Sequence, residues 1–396
     1  MKKNKYVNGI LPMMLINLSI GSVYCWTLFK EAIWAYADFS KSTTEWCFSL
    51  AIFCLGMSAA FGGKLVEKDV KKSSLLTFIL FTLGWIVTGI GIQCKSAVIT
   101  ILGFGVIQGI GLGIGYLTPV KTLMIWLDKN KGFAAGLSVA GFALAGVLAS
   151  PIIAYFLEIL PVYSVFYLLA GIYGLCLFVA YLLIFRPEAA EDRKEFHKEL
   201  KISEIIFSKK FILLWLLFFL NVTCGLALIS QEKQIYHIIG VTSITSIVLY
   251  CSVSSAFNLV GRLSMASLQD RLKQKHIPYY IMAAGSLVVC FVAAFNAEAL
   301  SLTLLMRWPV NFFFGCGFSC MPSILHQHYS IKQLSTVHGL TLSAWGAAGL
   351  VGNQLALLVM SNFSLTALYA GLGALYAIEL IILLVWVRNN RAKAPA

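Results

Sequence analysis

The chain has 396 residues, of which 59% are hydrophobic and only 12% charged, with a mean hydropathy of +0.83. That balance excludes a water-soluble globule with a polar exterior and points to an all-α polytopic membrane protein embedded in a lipid bilayer. The formal net charge of +13 is spread loop by loop and not gathered in one patch, so no nucleic-acid partner is expected.

A transmembrane helix needs about 20 apolar residues. Breaking the chain at charges, prolines and polar clusters predicts twelve: 7–29, 46–63, 74–93, 97–125, 133–157, 163–185, 211–230, 242–268, 278–296, 300–325, 335–360 and 364–387. Met1 to Tyr6 carries three lysines, but the apolar run after it is of full transmembrane length and has no small-residue cleavage site, so the first span is expected to belong to the fold. With both termini in the cytoplasm, 23 of the 30 basic residues fall in cytoplasmic segments, four outside and three within spans. This positive-inside asymmetry predicts an even number of crossings with cytoplasmic termini, and a bacterial inner (plasma) membrane is the expected location. The ten cysteines are scattered singly with no CxxC pair, and read as free buried thiols; no metal or cofactor is expected.

In chain order, the first distinctive run is Gly21-Ser22-Val23-Tyr24-Cys25-Trp26-Thr27-Leu28-Phe29, at the end of span one. Span two leads into Gly63-Lys-Leu-Val-Glu67-Lys68-Asp69-Val-Lys71-Lys72. Span four carries Gly105, Gly109 and Gly113 at intervals of four, on one helical face where backbones approach closely. The dinucleotide-like glycine spacing there lacks the preceding strand such a loop needs. The string Gly111-Leu-Gly113-Ile-Gly115-Tyr116-Leu-Thr118-Pro119 continues through Trp126, Asp128 and Gly132 to Gly141-Phe142, and Gly132, Gly136, Gly141 and Gly146 invite the same packing reading. Residues 186–210 mix seven basic with six acidic residues, and predict a linker between six-helix halves at 1–185 and 211–396, with a short amphipathic helix around Lys198 to Phe207.

Span eight holds Arg262, alone in an otherwise uncharged stretch from Val241 to Gln269. A charge in hydrocarbon costs roughly 2.5 kcal/mol or more on insertion scales, so it is rarely kept without a use. Asn258, Ser255 and Cys251 lie four, seven and eleven residues before it, one polar stripe suited to a wet cavity. The competing reading has Arg262 snorkelling to the interface. The loop that follows, Ala266-Ser-Leu-Gln-Asp270-Arg271-Leu-Lys273-Gln-Lys275, repeats the loop after span two about half a chain later.

Both loops resemble the G-x-x-x-D-R-x-G-R-K signature of the major facilitator superfamily, each imperfectly: Glu67, Lys68 and Val70 replace Asp, Arg and Gly in the first copy, and Ala266 and Lys273 replace glycines in the second. The resemblance implies two six-helix bundles around a central, alternately exposed cavity with substrate near the midplane, and a gating role for Glu67, Lys68, Asp69, Asp270 and Arg271. The span-one run, the Gly111–Phe142 string and the segment from Gly261-Arg262 to Asp270-Arg271 are similar to the oxalate:formate antiporter family, related to the monocarboxylate transporters. That likeness covers the whole chain at low density. It implies that Arg262 is the main partner of a substrate carboxylate, a role suited to its fixed fork of donors. Asn258 lies beside it on the stripe, Tyr24 and Tyr116 would help cage the anion, and Phe314 and Phe318 of span ten would wall it. The likeness breaks in span eleven, where Trp345 stands in place of a lysine that serves the oxalate transporter type as a second cation. The expected substrate moves accordingly from oxalate towards a monocarboxylate such as formate, lactate or pyruvate.

Lys121 reads as a snorkelling residue near the cytoplasmic end of span four, and Arg307 as either an entry-side charge or an interfacial anchor. Glu379 is the sole carboxylate clearly inside a predicted span, in a peripheral position, and no Asp or Glu is evident along the cavity. Transport is therefore expected as exchange with a counter-anion, or with a proton carried through the Arg262 site or through His326, His328 or His338, which are placed at the cytoplasmic mouth with interfacial roles. A transporter of an unrelated solute such as a sugar, nucleoside or drug is the alternative, and a non-transporting solute sensor a more distant one. No HExxH, GxSxG or convergent acid pair suggests an enzyme. A twelve-span chain encloses its own cavity, so a functional monomer is expected.

Overall fold

The computed structural model describes residues 4–187, 200–274, 276–295 and 300–391. Long helices follow one another, with no strand among the described residues. The first six are α1 (Lys5–Ala37), α2 (Lys41–Lys68), α3 (Val70–Gln93), α4 (Ala97–Trp126), α5 (Lys131–Ile159) and α6 (Val162–Leu183). The second six are α7 (Lys209–Ser230), α8 (Ile244–Arg271), α9 (Ile277–Phe295), α10 (Leu300–His328), α11 (Leu334–Asn362) and α12 (Leu365–Arg391). Among the described residues eleven helices are long and apolar enough to cross a membrane, and α10 packs between α8, α9 and α7 in the remaining place.

Each predicted span is present, but many helices run past their apolar stretch, because caps and not hydropathy end them. α2 begins where Ser40 accepts from Thr43 N at 3.1 Å and runs to Lys68, and Asp69 then starts α3 by accepting from Lys72 N at 2.9 Å. A short polar side chain at such a position satisfies an amide that the first turn leaves free. α1 is not uniform: it opens with a π-helical turn, tightens to a 3-10 segment at Gly21–Cys25 and resumes at Trp26. That tightening occurs within the glycine-led run singled out above and carries Tyr24. The linker helix is shorter than expected, Ile202–Ile206, while residues 188–199 of the predicted linker lie outside the described residues.

Within the first bundle α3 packs on α6 and α1 on α5; within the second, α8 packs on α10 and α9 on α12. Two seams join the bundles, α2 against α11 and α5 against α8. Glycine makes them possible: a Cβ on Gly56 would collide with the backbone of Gly346, one on Gly339 with the Ala59 carbonyl, and one on Gly136 with Ala266 and the Arg262 carbonyl. Gly113, from the predicted packing stripe, is likewise pressed on the Leu55 carbonyl.

One face carries both termini. Phe185 N donates to the Asn8 carbonyl at 2.9 Å there, and Trp386 rests on His328 with ring centroids 5.6 Å apart. It is called the terminal face below, and the other the distal face. Both seams are closed at both faces, and the centre holds a cavity of about 20 Å³, room for one or two waters. The conformation is occluded.

Candidate substrate site

Arg262 is fully buried. Its Nε donates to Asn258 Oδ1 at 2.8 Å and its Nη1 to the Val139 carbonyl of α5 at 2.9 Å. The guanidinium lies over the Phe318 ring at 4.7 Å and faces Phe142 at 5.7 Å, so aromatic faces offset part of the cost of burying the charge. No carboxylate pairs with Arg262 among the described residues, and its Nη2 has no hydrogen-bond partner. Snorkelling is thereby excluded.

Asn258 is itself fixed, donating to the Asn311 carbonyl at 3.0 Å and to Asn311 Oδ1 at 3.2 Å, while Asn311 reaches Ser254. Asn258 thus holds the guanidinium through its Nε. The rest of the polar stripe splits: Ser255 borders the central cavity, whereas Cys251 packs in an apolar cluster with Tyr236 and Val310.

Five further helices bring a ring or a donor to Arg262 of α8. Tyr24 from α1, Tyr116 from α4 and Phe142 from α5 meet Phe314 and Phe318 from α10 and Trp345 from α11. Trp345 is central: its ring lies 4.6 Å from Phe318, 4.9 Å from Tyr116, 5.6 Å from Phe142 and 6.4 Å from Tyr24. Phe314 stands 5.1 Å from Phe318 and 6.4 Å from Tyr24, seated on Gly225. Among the described residues the hydroxyls of Tyr24 and Tyr116, the indole Nε1 of Trp345 and Arg262 Nη2 are buried without a partner in full hydrogen-bond geometry, although Tyr116 lies beside the Arg262 guanidinium and Tyr24 beside the Trp345 indole. Arg262 is near enough to both phenols to act on them electrostatically. Three side-chain donors held around a cation that has no carboxylate partner and an open Nη2 are complementary to an anion with several acceptor oxygens.

This arrangement and the helix order coincide with a match of residues 5–352 to the Major Facilitator Superfamily. The chain belongs to that superfamily. It is similar to the MFS-type transporter YhjX of Escherichia coli (strain K12), 25% identical over 85% of this chain and 84% of that one. The oxalate:formate antiporter of Oxalobacter formigenes is 21% identical over 91% and 86%, and the apicoplast pyruvate carrier 1 of Toxoplasma gondii 26% identical over 67% and 64%. Among solved structures, the proton:xylose symporter XylE superposes with a TM-score of 0.79 at 13% identity, covering 96% of this chain and 95% of its own, a likeness of fold.

The two superfamily loop signatures are used symmetrically at the terminal face. Glu67, at the end of α2, accepts from Ser335 N at 2.7 Å and Thr336 N at 3.3 Å at the start of α11; Asp270, at the end of α8, accepts from Gly132 N at 2.9 Å and Phe133 N at 2.7 Å at the start of α5. Each carboxylate thus caps a helix of the opposite bundle, where amides and the helix dipole favour negative charge. Lys68 and Arg271 are exposed, and Asp69 caps its own helix α3. At the distal face Lys30 binds Glu45 at 2.5 Å and the Ser230 carbonyl at 2.7 Å, and Lys233 binds Glu31 at 2.6 Å, joining the bundles there.

Several expectations need correction. Lys121 does not snorkel: it pairs with Glu67 and donates to the Lys332 carbonyl at 3.2 Å, inside the contact between the bundles at the terminal face. Arg307 does not anchor at an interface, being fully buried and bound to Glu232. His338 is buried beside Tyr116, with centroids 6.3 Å apart, and not at the mouth, whereas His326 and His328 do sit near the terminal face, beside Lys131 and Lys210. The expectation that no carboxylate lies along the cavity is also overturned: Glu232 lines it together with Tyr24, Phe142, Ser255, Asn258 and Asn311. In the sequence Glu232 falls just beyond an apolar run and reads as loop; Phe142 was visible only as half of a Gly-Phe pair, and Asn311 carried no signal.

Proposed function

We propose that this facilitator is a secondary active transporter of small organic anions, monocarboxylates of the formate, lactate and pyruvate type foremost, working by alternating access in a bacterial inner membrane with both termini cytoplasmic. The observation that carries this reading is the unpaired Arg262 with unmet donors from Tyr24, Tyr116 and Trp345 around it. A carboxylate would take Nη2 with one oxygen and the phenol or indole donors with the other, relieving buried groups that are costly to leave unsatisfied. The names of two relatives, an oxalate:formate antiporter and a pyruvate carrier, agree with that chemistry. Trp345 supplies a donor but no charge, which favours one negative charge over two. Alternation would follow from opening one latched face at a time, the terminal face by parting Glu67 from α11 and Asp270 from α5, the distal face by parting Lys30 and Lys233 from their partners. A single chain suffices for every residue named.

The test is uptake of radiolabelled formate, lactate, pyruvate and oxalate into proteoliposomes, empty or preloaded, by the wild type and Arg262→Ala. Saturable uptake of at least one monocarboxylate, reduced to background in a folded Arg262→Ala protein, is the expected result. Normal transport by that variant, or no transport of any of the four by the wild type, would sink the reading.

A further inference from the structure

The chain breaks at Gln231, between α7 and the short helix Glu232–Ile238, and the break turns Glu232 inward. Its Oε1 accepts from the Tyr236 hydroxyl at 2.9 Å and from Arg307 Nε at 3.1 Å, and lies 2.9 Å from Arg307 Nη2. Oε2 has no hydrogen-bond partner among the described residues, and the side chain borders the cavity that Asn258 and Tyr24 also line. The other titratable groups that act on the pair are Tyr369 from α12, Cys251 from α8 and Cys25 from α1, all phenols or thiols. Of the nearby lysines, Lys233 is held by Glu31 and Lys30 by Glu45.

We propose that Glu232 carries a proton together with the carboxylate, making the cycle a proton symport, and that Arg307 is the counter-ion holding Glu232 when the proton is absent. The inference rests on the reading of Arg262 as the partner of the carboxylate. In the empty protein, with Lys30 and Lys233 neutralised by Glu45 and Glu31, the buried charges left at the centre among the described residues are Arg262, Arg307 and Glu232, a net of one positive. A carboxylate alone cancels that charge, whereas a carboxylate with a proton on Glu232 restores it. Loaded and empty forms then carry the same charge through the membrane field, which acts on moving charge in proportion to it. A proton arriving on Oε2 breaks no existing hydrogen bond. It removes the charge that neutralises Arg307 and leaves a second cation near the cavity, on the same helix as Asn311. Protonation therefore strengthens anion binding, and by linkage the anion strengthens protonation. Glu232 borders the same small cavity as Asn258, which holds the Arg262 guanidinium, so the two sites are close enough to couple.

The experiment uses proteoliposomes with a pH-sensitive dye inside and a medium one pH unit more acidic outside, offered labelled pyruvate, lactate, formate and oxalate in turn. The wild type should accumulate its carboxylate about tenfold, since one pH unit is a tenfold proton gradient, and acidify the lumen as it does so. Glu232→Gln should accumulate none beyond equilibration and leave lumen pH steady, with exchange at equal pH still measurable; Glu232→Asp should recover gradient-driven accumulation. Accumulation and acidification by Glu232→Gln equal to the wild type would overturn the proposal. So would wild-type transport without any change in lumen pH, an arm that stands even if Glu232→Gln does not fold, and which leaves the carboxylate reading intact. Failure of the wild type to move any of the four acids removes the carboxylate reading and this inference with it.

Discussion

Replacing Glu67 by Gln removes one negative charge from the terminal-face latch while keeping the side chain's shape. In the occluded state Glu67 accepts from Ser335 N and Thr336 N of α11 through Oε1 and pairs with Lys121 through Oε2, with both ionic side chains largely buried. A hydrogen bond to a charged group contributes about 1.5–3 kcal/mol and a neutral one about 0.5–1.5, so each of three contacts loses about 1 kcal/mol. Gln still offers one acceptor oxygen and Lys121 keeps the Lys332 carbonyl, so the net loss is set at about 2–3 kcal/mol. All of it falls on the closed form, because Glu67 is solvated once the seam between α2 and α11 parts. The open population should rise about 30- to 150-fold, at 1.4 kcal/mol per factor of ten. Hydrogen exchange followed by mass spectrometry across residues 331–340 measures this directly, since the Ser335 and Thr336 amides lose their acceptor on opening. Exchange there within threefold of the wild type would refute the latch, as would an equal acceleration across all helices, which would signify general destabilisation.

Trp345→Phe keeps the central ring and deletes one unmet donor; if that donor meets the anion, substrate affinity should fall about tenfold or more, the equivalent of one hydrogen bond to a charged group. An unchanged KM in the uptake assay would remove Trp345 from the anion's contacts. Gly113→Ala places a Cβ on the Leu55 carbonyl and should lower stability by about 1–3 kcal/mol, read as a drop in thermal midpoint in detergent. Gly171→Ala, where nothing lies within 4 Å, should not lower it by overpacking, and a matching drop in both would refute the packing argument.

Much of the fold was legible because a bilayer imposes simple rules. Apolar runs long enough to cross it become helices, since every backbone polar group must be satisfied within the segment, and basic loops give an expected orientation. Arg262 was legible for a related reason: one cation in hydrocarbon stands out against its neighbours. Where helices ended was less legible, because Ser40 and Asp69 stop or start helices by local hydrogen bonds that hydropathy does not register. Repetition helped too, for the Glu67 and Asp270 loops announced themselves by recurring half a chain apart.

Pairing was the part the linear chain could not express. Lys121 and Glu67 are 54 residues apart and Arg307 and Glu232 are 75 apart, and each looks like an interfacial or loop charge until the partner is in view. Burial of such residues depends on where a break in one helix meets the wall of another: the turn at Gln231 carries Glu232 inward to Arg307, whereas one more helical turn of α7 would have carried it towards the distal face. The amino-acid sequence by itself determined that the chain lives in a membrane as a series of long helices, and it singled out Arg262 as a cation with no opposite charge near it in the chain. Only the packing of twelve helices decided which charges are matched and which donors are left open, because electrostatic partners are chosen by proximity in space and spacing along the chain does not encode that distance.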